Sequence, residues 1–165
     1  MILDVDKWVQ ELGRLRVNFC EACNENCGFE IERSLYYSAL LVRKFSETPF
    51  VKRGFLSPLI EGHQFAPTEG AVHGLNWTDA QAHFDFKHPV ADRISLLGLC
   101  NILIHSRFLD WRPGAGKVQK IVVAGGVRAG IAAFEFDPLD YSSVLEGIER
   151  YKFKKIPFRP IKRTA

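Results

Sequence analysis

The stretch from Ile94 to Phe108, ISLLGLCNILIHSRF, constrains this chain more than any other. Ile94, Leu96, Leu97, Leu99, Ile102, Leu103, Ile104 and Phe108 would occupy nearly every side of a helix. Pro89 is placed to open that helix, and Gly98 is the strongest breaker inside it, which predicts a helix over roughly residues 89–109. A helix so apolar is covered on most sides. Asn101 and His105, four residues apart, share one of its faces. A buried polar side chain without a partner costs about 1–3 kcal/mol, so both need a structural or a chemical role.

The surrounding pattern is helical at both ends of the chain. DVDKWVQELGRLRVNFCEAC supports a first helix, with Asp4 or Asp6 near its start, where a carboxylate favours the helix dipole. EIERSLYYSALLVRKFSE supports a second after the weak point NENCG, with Ile31, Leu35, Ala39, Val42 and Phe45 facing inward. Residues 49–88 are broken by Pro58, Pro67 and several glycines, and short strands or turns packed over the helices are expected there, around QAHFDFK, which alternates in the manner of a strand. After the turn RPGAG, the segments KVQKIVVA and GIAAFEF read as a β-hairpin. Asp137 and Pro138 then supply an N-cap and first residue for a last helix. Its packed positions are Val144, Leu145, Ile148 and Tyr151. The expected fold is mostly helical α+β: a helical bundle with a C-terminal β-hairpin and a terminal helix, in a single domain over 1–165.

Charge is distributed unevenly. Arg150, Lys152, Lys154, Lys155, Arg159, Lys162 and Arg163 fall in residues 150–165 with no acid among them, outweighing the chain's formal charge of +3. The body is therefore acidic on balance and its tail basic. Tyr151, Phe153 and Phe158 are interleaved with the tail cations, so it could neutralise phosphates and stack on bases, or simply be a solvated end. The start, MILDVDKWVQ, is not a signal peptide, and no apolar run reaches a membrane span; a cytoplasmic location with no membrane contact is expected. Cys20, Cys23 and Cys27 have zinc-like spacing, but i, i+3, i+7 also places three thiols on one helical face. With no second ligand pair downstream, free thiols are expected and no metal. His63, His73, His83 and His88 scatter without ligand spacing.

No cofactor is expected either. The glycines of VVAGGVRAG lack dinucleotide-loop spacing, and no helix follows to receive a phosphate. Ser106 follows His105 directly, and adjacent helical residues do not face each other. Chemistry thus concentrates on Asn101, His105 and Arg107. Histidine moves protons near neutral pH, asparagine can orient it or hold a phosphate oxygen, and arginine can stabilise a pentavalent phosphorus. Such a set can cleave RNA without metal, because the 2′-hydroxyl supplies the nucleophile. The plain alternative is an Asn–His pair bonded to a neighbouring helix, with Arg107 exposed at the helix end.

The helix IERSLYYSALLVRKFSE followed by LLGLCNILIHSRF resembles the two core helices of HEPN-type domains, many of which are ribonucleases of toxin–antitoxin and antiviral defence systems. The family motif is an arginine followed after four to six residues by histidine, often with asparagine next to the arginine. Asn101 and His105 fit it; the arginine position holds Cys100. The resemblance covers residues 30–110. It implies a helical RNA-binding domain and a metal-independent ribonuclease, with His105 as general acid/base, Asn101 positioning it and Arg107 contacting charge. Cys100 implies either a non-catalytic member or one that borrows Arg107 or Arg43. Arg43 also has Glu47 at i+4 as an ion-pair partner. The resemblance further implies a homodimer, with the CNILIH helix lining a two-fold interface. A non-catalytic dimerisation or protein-interaction module is the alternative.

Overall fold

The computed structural model describes residues 4–48, 55–68, 83–125 and 132–151. Helix α1 (Val5–Glu25) starts at Asp4, whose side chain accepts a hydrogen bond from the Lys7 N–H. It ends at Asn26, which takes the left-handed conformation (φ 53°) and turns the chain into α2 (Gly28–Ser46). Asparagine tolerates that region better than most residues, so the weak point in NENCG becomes a sharp corner. Ile31, Leu35, Ala39, Val42 and Phe45 of α2 are all buried, as the periodicity predicts.

The middle of the chain departs from the expected bundle. Strand β1 (Leu59–Phe65) lies within the stretch read as irregular. The expected helix over 89–109 is instead strand β2 (Val90–Ser95), a short helix α3 (Leu96–Ile104) and strand β3 (Ser106–Gly114). The Ser95 hydroxyl accepts from the Gly98 N–H, so the helix begins at a capping serine and not at Pro89. Residues 90–95 pair with β1 from Gln64↔Val90 to Leu59↔Ser95, and backbone pairing overrides their helix-compatible pattern. Strand β3 turns through Ala115 and Gly116 into β4 (Lys117–Gly125), within the predicted turn. Strand β5 (Ala133–Phe136) pairs antiparallel with β4, which is the expected hairpin, but also with β1. The result is a five-stranded antiparallel sheet of order β2-β1-β5-β4-β3. The protein is therefore α+β with a sheet at its centre, not a helical bundle with an appended hairpin. Among the described residues of QAHFDFK, Phe84 makes a bridge to Pro67.

Helix α4 (Pro138–Glu149) starts as expected, with Asp137 accepting from the Leu139 N–H at 2.8 Å. Residues of all four helices share one core with Ile60, Val118, Ile121, Val123, Phe134 and Phe136 of the sheet. Helix α3 lies inside this layer, with Leu96, Leu99, Cys100 and Leu103 buried against neighbours from the same chain. Those four side chains are covered within the chain, while Leu97, Ile102 and Ile104 of the same helix are partly buried. Gly28 admits the Trp111 ring, which would lie 2.4 Å from any Cβ at that position. The opposite sheet face carries a smaller apolar cluster of Phe65, Phe84, Val122, Ala124 and Ala133, to which no described helix contributes. Among the described residues, no helix is long and apolar enough to cross a membrane.

Candidate functional site

Two places deserve comparison as sites: the end of α3 and the face of the sheet away from the helices. At α3, Cys100 is fully buried, and burial pushes its thiol up to about 12, against a smaller downward pull from its hydrogen bond with Tyr141. The Tyr141 hydroxyl also meets Ser38 Oγ at 2.9 Å. The position of the motif arginine is therefore part of a sealed core. Asn101 turns its carbonyl oxygen to α2, where the Arg43 guanidinium donates to it. Arg43 also reaches Glu47 at 3.3 Å, the expected i+4 pair. His105 ends the helix as its C-cap and is exposed; among the described residues no side chain hydrogen-bonds its ring. Arg107 is exposed where the β3–β4 register shifts. The structure thus brings Arg43 to Asn101 and leaves His105 and Arg107 at the surface. Lys152, Lys154, Lys155, Arg159, Lys162 and Arg163 lie outside the described residues, as does His73.

The thiols of α1 follow the packing expectation in part. Cys23 is buried, with its thiol pushed up to about 12 by burial, and Cys20 lies 3.1 Å from Ser142 Oγ on α4. Cys27 falls beyond the end of α1, as the residue preceding α2, so the three do not form one stripe. Among the described residues, no group of three or more His, Cys, Asp or Glu side chains is arranged to hold a metal.

On the open sheet face, pairing aligns Ala91, His63, Glu135, Val122 and Asp110 in one row across all five strands. Glu135 at its centre is only 8% exposed. Its Oε1 is 3.8 Å from His63 Nδ1, and its Oε2 is 3.2 Å from Arg112 Nε. Oε2 is buried and makes no directed hydrogen bond, so the carboxylate is held by charge alone on that side. A buried carboxylate costs several kcal/mol of desolvation unless compensated, and here the compensation comes from two side chains on different strands. The Arg112 guanidinium sits 5.0 Å from the Phe86 ring centre and 5.8 Å from that of Phe65. Such stacking fixes its plane. Gly62 permits the approach of β1 to β5 at this point, since a Cβ there would lie 2.0 Å from the Glu135 carbonyl oxygen.

One cleft opens beside His63 and another beside Arg112. One, about 610 Å³, is bordered by His63, Arg93 and Lys120 with Glu61, Asp92 and Asp140. The other, about 670 Å³, is bordered by Arg112, Phe86, Lys87, Asp85 and Asp110. Glu135, His63 and Arg112 escape sequence reasoning because they come from three strands distant in the chain. The available signal is the carboxylate of FEF, an acid inside an apolar strand. Comparison of the chain with protein-family models, with curated proteins and with solved structures finds no match.

Proposed function

We propose that this protein is an RNA-binding module that lays a single strand across the open face of its sheet. The carrying observation is the Arg112 guanidinium, 47% exposed in its side chain and stacked on Phe86 and Phe65, with Lys87 beside it in the same cleft. Antiparallel sheets that offer guanidinium planes and aromatic rings receive unstacked bases, while lysines neutralise phosphates. Arg43 and Arg107 add cationic groups near the end of α3, where the half-buried Arg43 guanidinium donates to Asn101 and pairs with Glu47. The basic tail supplies more positive charge in sequence. In this reading the α3 cations contact phosphate, and the base-reading surface lies on the sheet.

Fluorescence anisotropy with a labelled 20-nucleotide RNA tests this. Binding should weaken as salt rises, with a slope that becomes shallower by about 0.7 for each phosphate contact removed. Arg112→Ala should weaken binding about tenfold, the scale of one lost stacking partner. Absence of binding at low salt, or unchanged binding by Arg112→Ala, would remove the proposal. A second reading, a protein-docking module without nucleic-acid contact, is favoured by Phe29 (71% exposed) and Tyr36, seven residues apart on α2. Loss of partner-free monomer behaviour on sizing, with no RNA bound, would select it.

A further inference from the structure

We infer that Cys20 and Cys23 form a modification site for small disulfides such as oxidised glutathione, which convert the two thiols into a disulfide across one turn of α1. Of the four cysteines, these two share a cavity of about 290 Å³ bounded by α1, the start of β4 and the first turn of α4. Cys27 lies past the corner at Asn26, and Cys100 is sealed in the core. Cys20 is the half-buried member, with its sulfur 3.1 Å from the Ser142 hydroxyl oxygen. A hydroxyl donating to that sulfur favours the thiolate, the form that attacks a disulfide. Cys23 is 5% exposed, and burial pushes its thiol up to about 12. It therefore enters the chemistry second, once an activated sulfur stands one turn away. Lys117 and Lys120 border the cavity. Lys120 pairs with Asp137 at 3.6 Å, which leaves Lys117 to meet the carboxylates of an anionic disulfide.

The steps balance without another reactant. The Cys20 thiolate attacks one sulfur of the small disulfide, the S–S bond breaks, and one glutathione leaves as a thiolate that takes up a proton. Cys23 then gives its proton to solvent, attacks the Cys20 sulfur and displaces the second glutathione. Two protein thiols are oxidised to one disulfide while one oxidised glutathione is reduced to two thiols. Helix geometry sets Cα atoms three residues apart at about 5 Å, inside the range that a disulfide spans. Their Cβ atoms stand about 5–6 Å apart, wider than the roughly 3.5–4.5 Å of a relaxed disulfide. Closing the bond therefore pulls in the turn of α1, and a disulfide under such strain is readily reduced. It also draws the Cys20 sulfur off Ser142, one of the contacts that tie α1 to α4. Ala22, between the two cysteines, accepts the N–H of both Asn26 and Cys27 at the corner into α2. Oxidation thus reaches the α1–α4 and α1–α2 junctions together.

Oxidised glutathione added to the reduced full chain, with mass spectrometry after cleavage at glutamate, tests the inference. Glu21 and Glu25 separate Cys20, Cys23 and Cys27 onto three fragments, so each pairing has its own mass. The expected product is the Cys20 fragment joined to the Cys23 fragment, with Cys27 outside the bond. Cys23→Ser should stop at glutathione bound to Cys20, and Cys20→Ser should slow modification of Cys23 at least about tenfold. Thermal melts of the reduced variants check folding, and Cys23→Ala replaces Cys23→Ser if serine lowers the melting temperature. The oxidised wild-type chain should melt below the reduced one, and excess reduced glutathione should restore both thiols. A bond that includes Cys27, glutathione left on Cys20 of the wild-type chain without closure, or no reaction until the chain is unfolded would overturn the inference. So would a Cys20–Cys23 disulfide that excess reduced glutathione leaves intact.

Discussion

The two faces of one sheet obey different rules here. The helix-covered face is an apolar core, where Ser38, Tyr141 and Cys100 satisfy one another, Ser34 Oγ is buried without a hydrogen-bond partner, and Leu99, Ile121 and Phe136 are fully buried. The open face buries a carboxylate, Glu135, between Arg112 and His63 and leaves one of its oxygens without a directed hydrogen bond. Residues on the first face are placed by volume and burial. Those on the second keep charge where a hydrocarbon would pack, and a paired charge of this kind adds little net stability over well-packed hydrocarbon.

The largest effect should come from the core face. Leu99→Ala removes a fully buried side chain and should cost about 2–5 kcal/mol of unfolding free energy in a denaturant titration. A cost under about 1 kcal/mol would mean that the helix layer is not the main core. Alkaline pH is the next probe. Cys23 and Cys100 are each raised from 9.0 to about 12, and Tyr141 is raised further above its ordinary value, all chiefly by burial. The folded state therefore holds these protons more tightly than the unfolded chain. Stability is complete below about pH 9 and falls as pH rises toward 12, by about 1.4 kcal/mol per pH unit for each group titrating. Thermal melts should hold level up to about pH 9 and decline from there to pH 11; a profile flat throughout would place these groups in water.

Smaller changes sharpen the contrast. Asp137→Ala removes the N-cap of α4 and should cost about 1 kcal/mol, readable as a lower melting temperature. Glu135→Leu should leave stability within about 1 kcal/mol of wild type or raise it, while weakening RNA binding on the open face through the loss of the Arg112 partner. A Glu135→Leu protein that unfolds would make the carboxylate a structural brace instead.

What the sequence disclosed follows the range of its signals. Asp4, Asn26 and Asp137 act within one turn of their own position, so the helix ends can be read locally. The inward stripe of α2 repeats every three or four residues and is equally plain. Strands β1 and β2 are different, because LIEGHQF and VADRIS become strands through each other across a long stretch of chain, whereas SRFLDWRPG pairs with β4, which follows it directly. A helical pattern extended through them without meeting a contradiction. The row His63–Glu135–Val122–Asp110 depends on three strand pairings at once, and no spacing in the sequence encodes it. Asn101 was legible as a polar residue needing a partner, and it found Arg43 of α2.

The central claim is that RNA lies on the open sheet face, and backbone NMR shifts on titration with a short RNA test it most directly. The account predicts that the largest perturbations fall on His63, Arg112, Lys120 and Glu135, with smaller ones at Arg43 and Arg107 and with α1 and the Phe29 and Tyr36 positions of α2 unmoved. Perturbations confined to α2 around Phe29 and Tyr36, or to the end of α3 alone, would contradict it.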